Sequence, residues 1–238
     1  MSKQSHTKRP KILILYLNPN KYMKYFKFIP YLFVLTHLNT STASSFDDFF
    51  KAIEFDQPQP IEYLLKRGFD ANTPNEQGQI GLHIAINKGS NKVAKVLIEW
   101  PKTQLSQINP DGESALMFAA YINNLDLAKH LINRGADVNK TGWTPLHYAA
   151  TNGHIAMARL LLEHHAYIDS PSPNGTTPLM MAAQYGTPLI CKLLLEEGAD
   201  PTIQNQKGLT AIDFAKLGEK KDSIAYLESF VHAWNSKK

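Results

Sequence analysis

Apolar anchors return along this chain at nearly constant intervals. Leu82, Leu116, Leu146, Leu179 and Ile212 are spaced 34, 30, 33 and 33 residues apart. Counting 33 back from Leu82 reaches Phe49, inside Phe46-Asp47-Asp48-Phe49-Phe50-Lys51-Ala52-Ile53. Six units follow from this spacing. A fixed period of this length outranks any local reading of secondary structure, because each unit buries its apolar face only against its neighbours.

One helix-start signal recurs within the units. Thr144-Pro145-Leu146-His147 and Thr177-Pro178-Leu179-Met180 are its clearest forms. Ile80-Gly81-Leu82-His83, Ser114-Ala115-Leu116-Met117 and Thr210-Ala211-Ile212-Asp213 are weaker ones. Threonine before a helix accepts a hydrogen bond from an unpaired amide of the first turn. Proline suits the first helical position, where no N–H is needed. A short helix with paired alanines follows (Ala119-Ala120, Ala149-Ala150, Ala182-Ala183); alanine favours the helix and lets neighbouring helices approach. A tight turn such as Asn152-Gly153-His154 leads to a second helix with the apolar stripe Ile155, Ala158, Leu161 and Leu162. Gly68, Gly135 and Gly198 fit the left-handed C-terminal cap of such helices.

These motifs resemble the ankyrin repeat over about residues 46–230, and Gly142-Trp143-Thr144-Pro145-Leu146-His147-Tyr148-Ala149-Ala150-Thr151-Asn152-Gly153-His154 is nearly a consensus copy. The resemblance implies an all-α repeat solenoid: about six stacked helix-turn-helix units joined by β-hairpin-like turns. Three departures stand out. Between Leu116 and Leu146 three residues are missing, so Val138-Asn139-Lys140-Thr141-Gly142 must form a shortened hairpin. The second unit lacks the glycine cap and stops at Trp100-Pro101, since proline cannot continue a helix. The last unit carries Lys216, Glu219, Lys220, Lys221 and Asp222 where an internal repeat would be apolar, as a solvated cap should.

The chain has 238 residues and a net charge of +4, which by itself would suggest nucleic acid as a partner. Location of the charge removes that reading. Residues 1–43 hold seven of the 25 Lys and Arg and no acid, so the remainder has 18 basic against 21 acidic residues, a net charge of −3. A mildly acidic body carries no electrostatic footprint for DNA or RNA. The basic leader instead reads as an address. Lys24 and Lys27 precede the apolar run Phe28-Ile29-Pro30-Tyr31-Leu32-Phe33-Val34-Leu35, and the small residues Ser41-Thr42-Ala43-Ser44-Ser45 follow. That succession describes a signal peptide. Cleavage is expected after Ala43, with Met23 as an alternative start. A terminal tail with a chance apolar patch is the competing reading. The run is much shorter than the ~20 apolar residues of a membrane span. The expected division is a leader over 1–43, repeats over 44–230 and a C-terminal tail over 231–238.

No catalytic constellation emerges: there is no phosphate-cradling glycine loop, no Gly-x-Ser-x-Gly elbow and no His-Glu-x-x-His helix. His164 and His165 cannot chelate one ion from a helix, where adjacent side chains point about 100° apart. His83 and His147 hold the fourth place of the helix-start motif, where an imidazole can bond back towards the cap. The single cysteine, Cys191, lies in Leu189-Ile190-Cys191-Lys192-Leu193-Leu194-Leu195 and reads as a small core hydrophobe. No cofactor or metal is expected.

Function must then come from the surface. The resemblance places groove-facing positions after each turn glycine and each alanine pair. They are Gln79, Asn87 and Lys88; Glu113, Tyr121 and Ile122; Trp143, Thr151 and Asn152; and Thr176, Gln184 and Tyr185. Tyr121 and Tyr185 are expected to be exposed aromatic anchors of a protein interface. Trp143 either joins them or packs against its shortened hairpin. The expected function is a monomeric, non-catalytic scaffold that binds a protein partner in an exported compartment, most readily the periplasm. This follows a resemblance to small exported ankyrin proteins of bacteria. The alternatives are an effector delivered to a host cell and an accessory protein assisting an exported enzyme.

Overall fold

The computed structural model describes residues 44–236, so the expected leader and its cleavage site lie outside the described residues. The repeats belong to one compact unit, Ser45–Lys238. Twelve helices form six pairs among the described residues: α1 (44–54) with α2 (Pro58–Lys66), α3 (Gly81–Lys88) with α4 (Asn91–Glu99), and α5 (Ala115–Tyr121) with α6 (Leu125–Asn133). Then come α7 (Pro145–Thr151) with α8 (Ile155–Glu163), α9 (Pro178–Gln184) with α10 (Pro188–Glu196), and α11 (Ala211–Leu217) with α12 (Lys221–Asn235). No strand forms among the described residues; the hairpins contribute the isolated antiparallel bridges Pro74–Ile80 and Ile108–Ser114. This is the expected all-α ankyrin solenoid of six units.

The anchors explain the stack. Leu82, Leu116, Leu146 and Leu179 are at most 1% exposed, and the alanine pairs are wholly buried. The odd-numbered helices therefore pack closely on one another, whereas leucine-rich even-numbered helices stand further apart. Close packing on one side and wider spacing on the other curve the stack towards its odd-numbered, inner helices. Leu161 on α8 is fully buried, and a single apolar cluster runs through all six repeats.

Helix starts follow the sequence with one variation. Ser114, Thr177 and Thr210 accept from the amides of Met117, Met180 and Asp213, closing three capping boxes. In α7 the hydroxyl of Thr144 instead faces the imidazole of His147, at 2.9 Å from Nδ1. Helix ends follow as well. Gly68, Gly135 and Gly198 are left-handed, and α4 stops at an extended Trp100 before Pro101. Repeat four has no such glycine, and His165 takes the left-handed place at φ 63°.

The shortened hairpin is the main local difference. Four hairpins are closed by a backbone bond across the turn: Asn75 N–H to Gln79 O, Asn109 to Glu113, Ser172 to Thr176 and Asn205 to Leu209, at 2.8–3.0 Å. With three residues missing, repeat four has no equivalent. The Lys140 ammonium donates instead to the carbonyls of Thr141 (3.0 Å) and Trp143 (3.2 Å), holding the turn from a side chain. The tail boundary drawn after residue 230 falls within α12, which continues through Phe230 and Trp234 to Asn235. Phe230 and Trp234 stack at 6.0 Å along that helix.

Candidate functional site: the inner-helix face

Burial divides each inner helix into two faces. In α7, Leu146, His147, Ala149 and Ala150 are buried, which leaves Tyr148, Thr151 and the following Asn152 towards solvent. Residues at i, i+3 and i+4 share one helical face. The same three places recur as Ile84, Asn87 and Lys88 after α3 begins, as Phe118, Tyr121 and Ile122 on α5, and as Met181, Gln184 and Tyr185 on α9. At the ends of the stack the corresponding residues are Lys51, Glu54 and Phe55, then Phe214, Leu217 and Gly218, of which Phe214 is buried. Stacking in register turns these triplets into a grid across one face of the solenoid.

The structure thus brings Asn87, Lys88, Tyr121, Ile122, Asn152, Gln184 and Tyr185 onto one surface. Tyr121 is 53% and Tyr185 55% exposed. They occupy neighbouring rather than identical repeat positions, since Tyr121 closes α5 and Tyr185 caps α9. Trp143 stands apart in the hairpin row. It is half-buried, and its ring meets His147 edge-on at 5.1 Å. The ring thus packs on α7 rather than on the shortened hairpin, and part of it stays at the surface.

Sequence reasoning missed the floor of this face. Ile84, Phe118, Tyr148 and Met181 are half-buried and lie one helical turn before the residues identified from the repeat pattern. Tyr148 is the best held of them. Its hydroxyl donates to Glu113 at 2.8 Å, and its ring takes that of Tyr121 edge-on at 6.2 Å. Burial, followed by the Glu113 carboxylate, pushes the Tyr148 phenol well above its ordinary value, so the bond persists at neutral pH. An acidic hairpin residue thereby fixes an aromatic side chain of the next repeat. Each floor residue is largely apolar and stands three residues before an exposed or half-buried position, a spacing that does not by itself separate it from the core.

The buried histidines are structural. His147 accepts the Thr144 N–H at Nδ1 (3.1 Å), and its Nε2–H donates to the Thr176 carbonyl of the next repeat (3.0 Å). Burial lowers its pKa to about 4 and keeps it neutral. His83 is likewise held near 4 by burial, but Ile80 offers no hydroxyl and its Nδ1 has no partner. His154 reaches back to the Tyr121 carbonyl at 3.1 Å. Cys191 is buried, where desolvation pushes its thiol up to about 11 and leaves it unreactive. No three potential metal ligands cluster among the described residues.

A helical stack with a grid of solvent-facing side chains on its inner face defines a repeat-protein binding module. The family model for ankyrin repeats matches three times, over residues 49–141, 116–205 and 166–228, and the chain belongs to that family. Its domains are generally non-catalytic modules of protein–protein interaction. The nuclear factor NF-kappa-B p105 subunit of Gallus gallus is 34% identical over 164 residues, which cover 66% of this chain and 17% of that protein. The chain therefore spans about a sixth or less of the length of the first curated relatives that it matches. One similar solved chain comes from the complex of the predatory endopeptidase Bd0816 of Bdellovibrio bacteriovorus with the immunity protein Bd3460. It is 31% identical, with a TM-score of 0.66, covering 76% of this chain and 97% of that one. An ankyrin-repeat domain (ABAYE2397) from Acinetobacter baumannii shares the fold at 24% identity and a TM-score of 0.67, with 76% and 96% covered.

Proposed function

We propose that this chain is a non-catalytic scaffold that binds a protein partner through its inner-helix face in an exported compartment, the periplasm foremost. The observation that carries the reading is the grid itself. It presents Tyr121, Ile122, Tyr148, Met181 and Tyr185 on one side, with the alanine-packed core immediately behind. Aromatic side chains lose few rotamers on binding and desolvate a large area, which suits them as interface anchors. Export rests on the basic, apolar and small-residue succession of residues 1–43. No described helix is long and apolar enough to cross a membrane.

Capture from native extract tests the reading. The wild-type chain should retain a partner that the Tyr121→Ala/Tyr185→Ala variant loses; equal retention by both would place binding elsewhere. N-terminal sequencing of native material should begin at Ser44, and an intact Met1 or Met23 in a cytoplasmic fraction would contradict export. A second reading, in which the partner is a peptidase, is supported by the similar chain in the endopeptidase–immunity protein complex, nearly all of which this chain covers.

A further inference from the structure

The inner-helix face is not uniform, and its first three repeats carry a feature that the aromatic anchors of repeats three to five do not explain. A groove of about 750 Å³ opens between α1, α3 and the hairpin of repeat two. It adjoins a smaller pocket of about 230 Å³ between α3 and α5, with Gln79, Ile84 and Lys88 forming walls of both. The floor is apolar: Phe50, Phe55, Ile84 and Phe118 line it, and Phe55 is 60% exposed with nothing packed over it among the described residues.

The rim is acidic. Asp47, Glu54, Glu76, Asp111 and Glu113 face Lys51 and Lys88, five carboxylates against two ammonium groups. Lys88 is already spent on Glu54 at 3.6 Å. His83 in the wall adds no compensating charge, since burial keeps it neutral. The resulting excess of three negative charges equals the net charge of the whole chain after residue 43, where 18 basic residues face 21 acidic ones. An apolar floor with a rim of net negative charge selects a guest that brings an apolar side chain and the opposite charge.

Resting on the reading of this chain as a protein-binding scaffold, we infer that repeats one to three form a docking groove for a partner segment that pairs an aromatic or branched aliphatic side chain with a neighbouring arginine or lysine. The apolar side chain enters against Phe55 and Ile84. The cation lies towards Asp111 and Glu113, where Glu113 stays fixed by Tyr148 and Asn109 and keeps lone pairs for it. Arginine suits this place better than lysine, because its planar donors match carboxylate geometry.

Short capped peptides test this directly, as phenylalanine and arginine joined by alanine spacers of varied length, with glutamate in place of arginine as the control. They are titrated to about 5 mM into the full chain, a range that detects millimolar affinity, and followed by amide chemical shifts. The best arginine peptide should bind at least about fivefold tighter than its glutamate control, the scale of one or two exposed charge pairs. Its shifts should centre on Phe55, Ile84 and Glu113, and the advantage should shrink with added salt. Glu76→Gln/Asp111→Asn, both exposed hairpin positions, should at least halve the preference without moving the urea midpoint. Equal binding of the two peptides, shifts centred elsewhere, or no shifts at all would overturn the inference. None of these would touch the scaffold reading, which stands or falls on partner retention by the Tyr121→Ala/Tyr185→Ala variant.

Discussion

Acid should unfold this solenoid before its carboxylates titrate, and His147 should be a main cause. In the folded chain His147 has no exposed surface, and both ring nitrogens are committed. A second proton would have to sit on Nδ1, facing the Thr144 N–H that it now accepts. Its folded pKa is about 4, against 6.5 for the free imidazole. The unfolded chain therefore binds a proton below about pH 6.5 that the folded chain refuses until pH approaches 4. The resulting stability is fully present above pH 6.5 and is lost as pH falls through this window. The difference is worth about 3 kcal/mol when complete, and about 2.5 kcal/mol of it should be gone at about pH 4.5. His83, with the same depressed value, adds a comparable amount. Urea unfolding at about pH 7.5 and 4.5, on the wild type and on His147→Gln, measures this. The variant should be less stable at neutral pH yet lose about half of the pH dependence. A wild-type stability that stays flat across this window, or a variant with the same slope, would refute the assignment of neutral, hydrogen-bonded histidines.

Two further changes test the packing and the backbone. Leu161→Ala, in the wholly buried face of α8, should cost about 2–5 kcal/mol in urea unfolding; a loss well under 1 kcal/mol would mean that neighbouring repeats do not close over it. His165→Gly should stabilise by about 0.5–1 kcal/mol, because the left-handed conformation at φ 63° costs a side chain roughly 1–2 kcal/mol and glycine's unfolded-state entropy returns part of that. An unchanged or lower midpoint would show that the exposed imidazole makes a contact worth more than the strain.

The stack was legible in the sequence because period, cap residues and alanine pairs act locally and agree with one another. Thr177-Pro178 starts a helix, Gly198 ends one, and Ala182-Ala183 lets the next inner helix close, each for reasons internal to one repeat. The candidate face was legible only in part. The groove-facing positions, Asn87 and Gln184 among them, stood out only through the resemblance to ankyrin repeats. Ile84, Phe118 and Met181 did not, since a half-buried apolar residue and a core residue look alike until the buried side of the helix is known. The clamp on the shortened hairpin was illegible for another reason. A lysine side chain reaches the Trp143 carbonyl only because the missing residues leave no backbone amide to do so. The contact of the Trp143 ring with His147 was equally hidden, since it depends on how the hairpin meets the following helix.

The central claim is that the inner-helix face recognises a protein, and paired measurements of affinity and stability on single variants test it most directly. Tyr121→Ala and Tyr185→Ala should each weaken partner binding by about 2 kcal/mol or more. Their urea midpoints should correspond to changes within about 0.5 kcal/mol, as for other exposed side chains. Trp143→Ala, which removes a ring packed on His147, should instead lower the midpoint. Unchanged affinity in both tyrosine variants, with folding intact, would contradict the account and move the binding surface off this face.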